Sequence, residues 1–198
     1  MRRWLRAFSI ADMNEGFQHE TERLILRDWR EDDWLPFWEG TNTPNVMRWL
    51  GGVCDAEKRQ AAQDRLLSYT LDHGHTFWCV ERKDDGAILG FCGLKRCNQN
   101  GGPIGMMEVG WRLREDAWGK GYAKEAAVAS LDLAFERFGA DEVIALTVQG
   151  NAPSWGLMIK LGMVRREDLD FENADFTPDT PLIIVYSIDR ASREAQHA

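Results

Sequence analysis

The sequence predicts one domain of the mixed α/β (α+β) class, with a mostly antiparallel central sheet flanked by helices. Three observations lead there. A chain of 198 residues with 44% apolar side chains suits a single core. Two short apolar runs, Phe77–Arg82 and Ile88–Leu94, flank the turn Asp84-Asp85-Gly86 and read as an antiparallel hairpin. Further on, Val143–Val148 is apolar on both faces and follows a long amphipathic helix, as a central parallel strand does.

Taken in order, Glu22–Asp28 is the first strand, and acidic Glu31, Asp32 and Asp33 then suit the first turn of a helix running towards Trp38. Trp34, Trp38 and Trp49 lie in and after this helix. Aromatic residues at helical spacing are more often core, and the alternative is that these three line an acceptor pocket. Asp55 is placed as the N-cap of a polar-rich helix over Glu57–Leu71, with a partial apolar face from Ala61, Ala62, Leu66 and Leu67 and an end at His73-Gly74.

After the hairpin, the turn Asn98–Pro103 leads into a strand over Met106–Leu113. Period-two alternation puts Met107, Val109, Trp111 and Leu113 on one face and Glu108, Gly110 and Arg112 on the other. A glycine inside a strand marks a bulge or a close backbone approach. The next helix carries Ala123, Ala126, Ala127, Leu131, Ala134, Phe135 and Phe138 as a core-facing stripe. Another helix starts with Asn151 as N-cap and Pro153 in its first turn, and Lys160 with Gly162 marks its end. Met163–Leu169 and Leu182–Ile188 are the closing strands, separated by the acidic connection Asp170–Pro181, which reads as a solvated loop or an edge-covering flap. Residues 1–16 read as an N-terminal extension, 17–190 as the domain and 191–198 as a C-terminal tail.

Lys and Arg total 24 against 32 Asp and Glu, so the net charge is 24 − 32 = −8. That argues against a nucleic-acid surface and favours cationic partners, an amine among them. Cys54, Cys79, Cys92 and Cys97 form no C-x-x-C pair and read as thiols of a reducing compartment, and the scattered His19, His73, His75 and His197 do not suggest a metal site. Arg2, Arg3 and Arg6 surround Trp4, Leu5 and Phe8, but Arg6 and Asp12 leave no apolar run long enough for a signal peptide. No stretch reaches membrane length, so a cytoplasmic protein is expected, with a homodimer as a compatible assembly.

Chemistry concentrates at Trp118-Gly119-Lys120-Gly121-Tyr122-Ala123, where a glycine-rich turn links the Met106–Leu113 strand to a helix. Gly119 and Gly121 allow unusual dihedrals and close approach, and the first N–H groups of the helix point at whatever sits there. Helix dipole and donors together favour a phosphate or pyrophosphate. The Rossmann pattern fails because Lys124 stands where its third glycine belongs, and the P-loop fails because Gly121 follows Lys120 in place of Ser or Thr. A plain turn remains the structural alternative.

This turn resembles the pyrophosphate loop of the GNAT acyltransferases, Gln/Arg-x-x-Gly-x-Gly/Ala, with Trp118 in the first place. Trp-Gly-x-Gly-Tyr-Ala is similar to the branch of the ribosomal-protein N-acetyltransferases RimJ and RimL. A second segment, Asn151-Ala152-Pro153-Ser154 followed by Lys160-Leu161-Gly162-Met163, resembles the family's Asn-x-x-Ser helix in order and spacing. The resemblance covers roughly Thr21 to Asp189. It implies a sheet splayed at its middle, acetyl-CoA as cofactor, and a primary amine of a small molecule or a protein N-terminus as acceptor. It also implies cofactor contacts from Gly110, Trp111, Leu113, Trp118, Gly119, Lys120, Gly121, Tyr122, Ala123, Asn151 and Ser154.

Acetyl transfer to an amine needs an oriented thioester, a base for the ammonium proton and a donor for the departing thiolate. Glu108 is the candidate base, because a carboxylate in an apolar strand has a raised pKa. A RimL-like glutamate sits in the same place, before an apolar residue and Gly-Tyr/Trp. The alternative is a structural carboxylate holding Arg112 or a loop. Many family members place a tyrosine acid beyond the asparagine, but Trp155, Leu157 and Met158 occupy that region here, and the resemblance implies Ser154 instead. Two rival functions stay open: a CoA-binding regulatory module without turnover, and a nucleotide-binding protein.

Overall fold

The computed structural model describes residues 16–174 and 181–196. The expected N-terminal extension, apart from Gly16, and residues 175–180 of the acidic connection lie outside them. The strands are β1 Gln18–Glu20, β2 Leu24–Arg27, β3 Phe77–Arg82, β4 Ile88–Arg96, β5 Met107–Leu113, β6 Glu142–Val148, β7 Val164–Arg165, β8 Phe171–Glu172 and β9 Leu182–Asp189. The helices are α1 Trp34–Thr41, α2 Pro44–Met47, α3 Ala56–His73, α4 Tyr122–Glu136, α5 Ala152–Lys160 and α6 Arg190–Ala195. All nine strands form one sheet in the order β1-β2-β3-β4-β5-β6-β9-β7, with β8 also on β9. Every pairing is antiparallel except β5 with β6.

The parallel pair carries the architecture. β5 and β6 meet only at Met107↔Val143 and Glu108↔Ile144. Beyond Glu108 the two strands part, while β5 stays paired with β4 from Arg96↔Met107 to Gly90↔Leu113. On its far side β6 pairs with β9 over its whole length. The mixed, mostly antiparallel sheet splayed at its middle is therefore as expected.

One face of the sheet is buried by α4 and α5. Ala126, Ala127, Leu131, Ala134 and Met158 pack there on Leu24, Leu26, Trp78, Val109 and Ala145. α1 and α3 cover the other face, where Trp29, Trp34, Phe37 and Trp38 pack with Cys79 and Ile88, and Ala62 and Leu66 of α3 lie against them. Asp55 caps α3 by accepting from the Lys58 N–H, and Gly74 ends it in the left-handed region at φ 68°. α6 docks by Arg193, whose Nη2 lies 2.6 Å from Asp132 Oδ1 on α4. Among the described residues no helix is long and apolar enough to cross a membrane.

Two local expectations change, and one strand is added. The strand expected over Met163–Leu169 holds only at Val164 and Arg165, opposite Ser187 and Tyr186. Arg165-Arg166-Glu167-Asp168 has no apolar alternation, and Asp170 turns the chain by accepting from the Arg165 guanidinium and, at 3.0 Å, from the Val185 N–H. Asn151 does sit before α5, but its side chain accepts no capping hydrogen bond. β1 is an edge strand without apolar alternation, so nothing in its own residues announced it; Phe17 just before it stacks on Trp78 at 4.2 Å.

A buried ion cluster ties α1 to the sheet. Arg27 of β2 grips Asp33 with two hydrogen bonds of 2.6 and 2.8 Å, and its Nε reaches Glu81 of β3 at 2.7 Å. Burial pushes the Asp33 carboxyl up, and the Arg27 bonds outweigh that, so it titrates below its ordinary range. The stabilisation is therefore present at neutral pH and is lost as pH falls through that lowered value. Asp33→Asn leaves the buried Arg27 guanidinium with Glu81 as its one carboxylate partner among the described residues and should remove roughly 2–4 kcal/mol of stability in urea titration at pH 7. An unchanged midpoint would mean that the cluster does not hold α1.

Candidate functional site

The parting of β5 from β6 opens a cleft of about 1230 Å³. Its walls are β5, the turn before α4, the start of α5, and α2 with α3. From Val109 onward the β5 edge facing β6 has no strand partner, so its N–H and C=O groups line the opening. Glu108, Gly110, Trp111, Leu113, Trp118, Gly119, Gly121, Tyr122, Ala123, Asn151 and Ser154 all reach this cleft. Lys120 does not line it.

The glycine turn has the shape of an anion cradle. Gly119 and Gly121 have φ of 72° and 84°, a region that other residues avoid. Gly121 is the N-cap of α4, and the N–H groups of Tyr122, Ala123 and Lys124 in its first turn have no acceptor among the described residues. The Trp118 indole Nε1 donates to the Leu113 carbonyl at 2.8 Å and so ties the turn to the end of β5.

Behind the turn lies a clamp that sequence reasoning missed. Arg23 Nη1 donates to the Lys120 carbonyl at 3.0 Å, and its guanidinium covers the Tyr122 ring at 4.6 Å. Glu125 of α4 accepts from Arg23 Nε at 2.7 Å, the Arg23 N–H at 2.7 Å and the Thr21 hydroxyl at 2.5 Å. Burial pushes the Glu125 carboxyl up, but these donors together hold it below its ordinary value. These contacts span about a hundred residues, and only the adjacency of Glu125 to the glycine turn hinted at them.

Glu108 is 6% exposed on the β5 face shared with Gly110 and Arg112. Its ion-pair partner is Lys95, directly across on β4, with Nζ 3.1 Å from Oε2. Arg112, the partner envisaged for a structural role, points at aromatic rings instead. The Lys95 approach is not aligned as a hydrogen bond, which leaves Glu108 Oε2 without a hydrogen-bond partner. Burial raises the Glu108 pKa, and Lys95 offsets part of that rise. The Gly110 position is closed from above: a Cβ there would come 2.7 Å from Phe77 Cζ.

Ser154 lies in the first turn of α5, half-buried in the cleft wall. Its N–H donates to the Asn151 carbonyl at 3.0 Å, whereas its hydroxyl has no hydrogen-bond partner among the described residues. Asn151 presents an uncommitted amide beside it. Neither side chain is spent on capping.

The three tryptophans divide. Trp49 and Trp38 line the cleft, and the Trp49 ring lies against Gly150, where a Cβ would come 2.7 Å from Cη2. Trp34 is not in the wall: it stacks on Trp29 at 4.2 Å in the core, as helical spacing allowed. Thr43 and Asn45, which flank this wall, bond Glu115 at 2.6 and 2.8 Å and hold α2 to the segment after β5.

Known proteins share this fold. The sequence model of the acetyltransferase (GNAT) domain matches residues 23–164. An uncharacterized N-acetyltransferase of Bacillus subtilis (strain 168), YnaD, is 31% identical over 148 residues, which cover 74% of this chain and 82% of YnaD. The crystal structure of an acetyltransferase from Agrobacterium tumefaciens str. C58 superposes with a TM-score of 0.76 at 24% identity, covering 96% of this chain and all of that one. A ribosomal-protein-S5-alanine acetyltransferase from Vibrio fischeri shares the fold, with a TM-score of 0.70 at 18% identity over 87% of this chain and 96% of that one. Splayed sheet, glycine turn and sequence match agree: the chain is an N-acetyltransferase of the GNAT family.

Proposed function

We propose that this enzyme transfers the acetyl group of acetyl-CoA directly to a primary amine within the cleft between β5 and β6, in the manner of the RimJ/RimL-like branch. The observation that carries the reading is one cleft bordered by a donor-rich turn, an unpaired strand edge, a buried carboxylate and a free hydroxyl. The residues present fit the cofactor. Unsatisfied N–H groups of Tyr122, Ala123 and Lys124 suit a pyrophosphate, Asn151 is free to bond the pantetheine arm, and Lys124 and Lys160 line the same walls. Gly110, Trp111 and Leu113 border the gap for that arm, with Trp118 and the Gly119–Gly121 backbone at its phosphate end.

Bound there, acetyl-CoA supplies an activated acyl carbon. Glu108 takes the proton of the incoming ammonium, directly or through water, so that a neutral amine forms the new C–N bond. Ser154 returns a proton to the sulfur released when the C–S bond breaks. The positive end of α5 favours the same thiolate. Backbone N–H groups of the open β5 edge are placed to polarise the thioester carbonyl.

Three measurements test the assignment. Gly121→Glu sets bulk and negative charge in the cradle at a positive φ, and calorimetry should show loss of CoA binding; a folded variant with undiminished affinity would displace the cofactor from this turn. Glu108→Gln should lower turnover by roughly 10²–10⁴-fold while CoA affinity is kept. Because the carboxylate form is the base and burial raises its pKa, wild-type turnover should rise as pH climbs through that raised value, and the variant should lose this limb. A variant with unaltered turnover and pH profile would leave Glu108 as the partner of Lys95 alone. Ser154→Ala should slow transfer with little change in melting temperature, since the hydroxyl bonds nothing in the fold; a destabilised variant with full turnover would remove Ser154 from the chemistry.

A further inference from the structure

We propose that the acceptor amine carries a carboxylate and that Arg112, beside Trp38 on the acceptor side of the cleft, binds it; this rests on the transferase reading above. Whole-chain charge pointed the other way, towards a cationic acceptor. The cleft wall has a different balance: among the described residues seven basic side chains line it, and Glu108 is its single acid. Lys124 follows the glycine turn, Lys160 ends α5, and Lys95 is engaged with Glu108. Arg48, Lys58, Arg65 and Arg112 remain, all on the α2–α3 side or the strand facing it.

Arg112 differs from the others in being enclosed. Its guanidinium carbon lies 4.6 Å from the Phe37 ring centroid and 5.1 Å from those of Trp38 and Phe91. No carboxylate pairs with it among the described residues. Its hydrogen bond goes to the Met47 thioether at 3.2 Å, a weak acceptor, and its Nε has none. The Nε1–H of neighbouring Trp38 is likewise buried without an acceptor. Burial of the unpaired charge pulls the Arg112 pKa down to about 10. A guanidinium held this way awaits an anion, since an unpaired buried charge is destabilising by itself. With rings against its faces, the edge is what remains for hydrogen bonding, and a planar carboxylate matches that edge.

The same strand face sets the spacing. Glu108 and Arg112 stand four residues apart on β5, roughly 13 Å between Cα atoms, and the stacked Phe77–Phe91 pair, at 4.9 Å, forms the apolar floor between them. An amine at Glu108, an apolar body over the rings and a carboxylate at Arg112 describe an amino acid with a long apolar body, or a dipeptide.

The test compares amino acids and dipeptides with their C-terminal amides in a thiol-release assay, for wild type, Arg112→Met and Arg112→Lys. In parallel, calorimetry measures binding of N-acetylated acids and amides to the CoA-saturated protein. Wild type should prefer the free acid by about 10–100-fold in kcat/KM, the methionine variant should bring that ratio to about one through KM, and lysine should restore part of it. Equal use of acids and amides by wild type would overturn the carboxylate site while leaving acetyl transfer standing. Absence of turnover together with Arg112-dependent binding of N-acetylated acids would sink the transfer reading and keep the anion site. Neither binding nor preference would overturn the proposal, and the wild-type comparison decides even if Arg112→Met does not fold.

Discussion

The separation of β5 from β6 after Glu108 is the constraint on which the rest of the structure depends. Two pairs of residues hold the parallel strands together, and then the ladder opens. An open ladder inside a sheet is unfavourable unless its polar groups find partners. Here β4 and β9 keep the outer edges of both strands satisfied, so the gap persists as a slot and does not fray. Polar backbone left facing that slot is what makes it suited to an amide-bearing arm.

Around the slot, rigidity is supplied from outside. Arg23, Thr21 and Glu125 hold the back of the glycine turn, and Arg27 with Asp33 and Glu81 hold α1 on the opposite face. Both clusters lie on residues of β2 or next to it, so one early strand orders the glycine turn and the α1 side of the cleft together. Side chains facing the slot, by contrast, are underemployed: Glu108 has an oxygen without a hydrogen bond, Ser154 a free hydroxyl, Arg112 a nitrogen without an acceptor. Buried polar groups left this way weaken a fold and are retained where a ligand completes them.

How much of this was legible beforehand follows from the range of each interaction. The hairpin, the Met107–Leu113 strand, α4 and the Asn151 helix could be read because period, turn chemistry and helix ends are local. So could the glycine turn, whose φ values of 72° and 84° require the residue found there. The Lys95 partner of Glu108 was hidden because the register across the loop after β4 cannot be counted from sequence. Arg112 read as a possible partner for Glu108 since both share a face, but Phe37 and Trp38 of α1 and Phe91 of β4 surround it with rings. The Arg165–Asp168 run was overread as strand because flanking apolar residues masked its lack of alternation. Net charge describes the whole chain and not the cleft, whose described wall is mostly basic.

Crystallisation of the chain with CoA tests the central claim most directly. The expected structure has the pyrophosphate on the N–H groups of Tyr122, Ala123 and Lys124, the pantetheine arm between β5 and β6 beside Asn151, and the sulfur within reach of Ser154. CoA bound outside the slot, or a slot closed by pairing of β5 and β6 beyond Glu108, would contradict it.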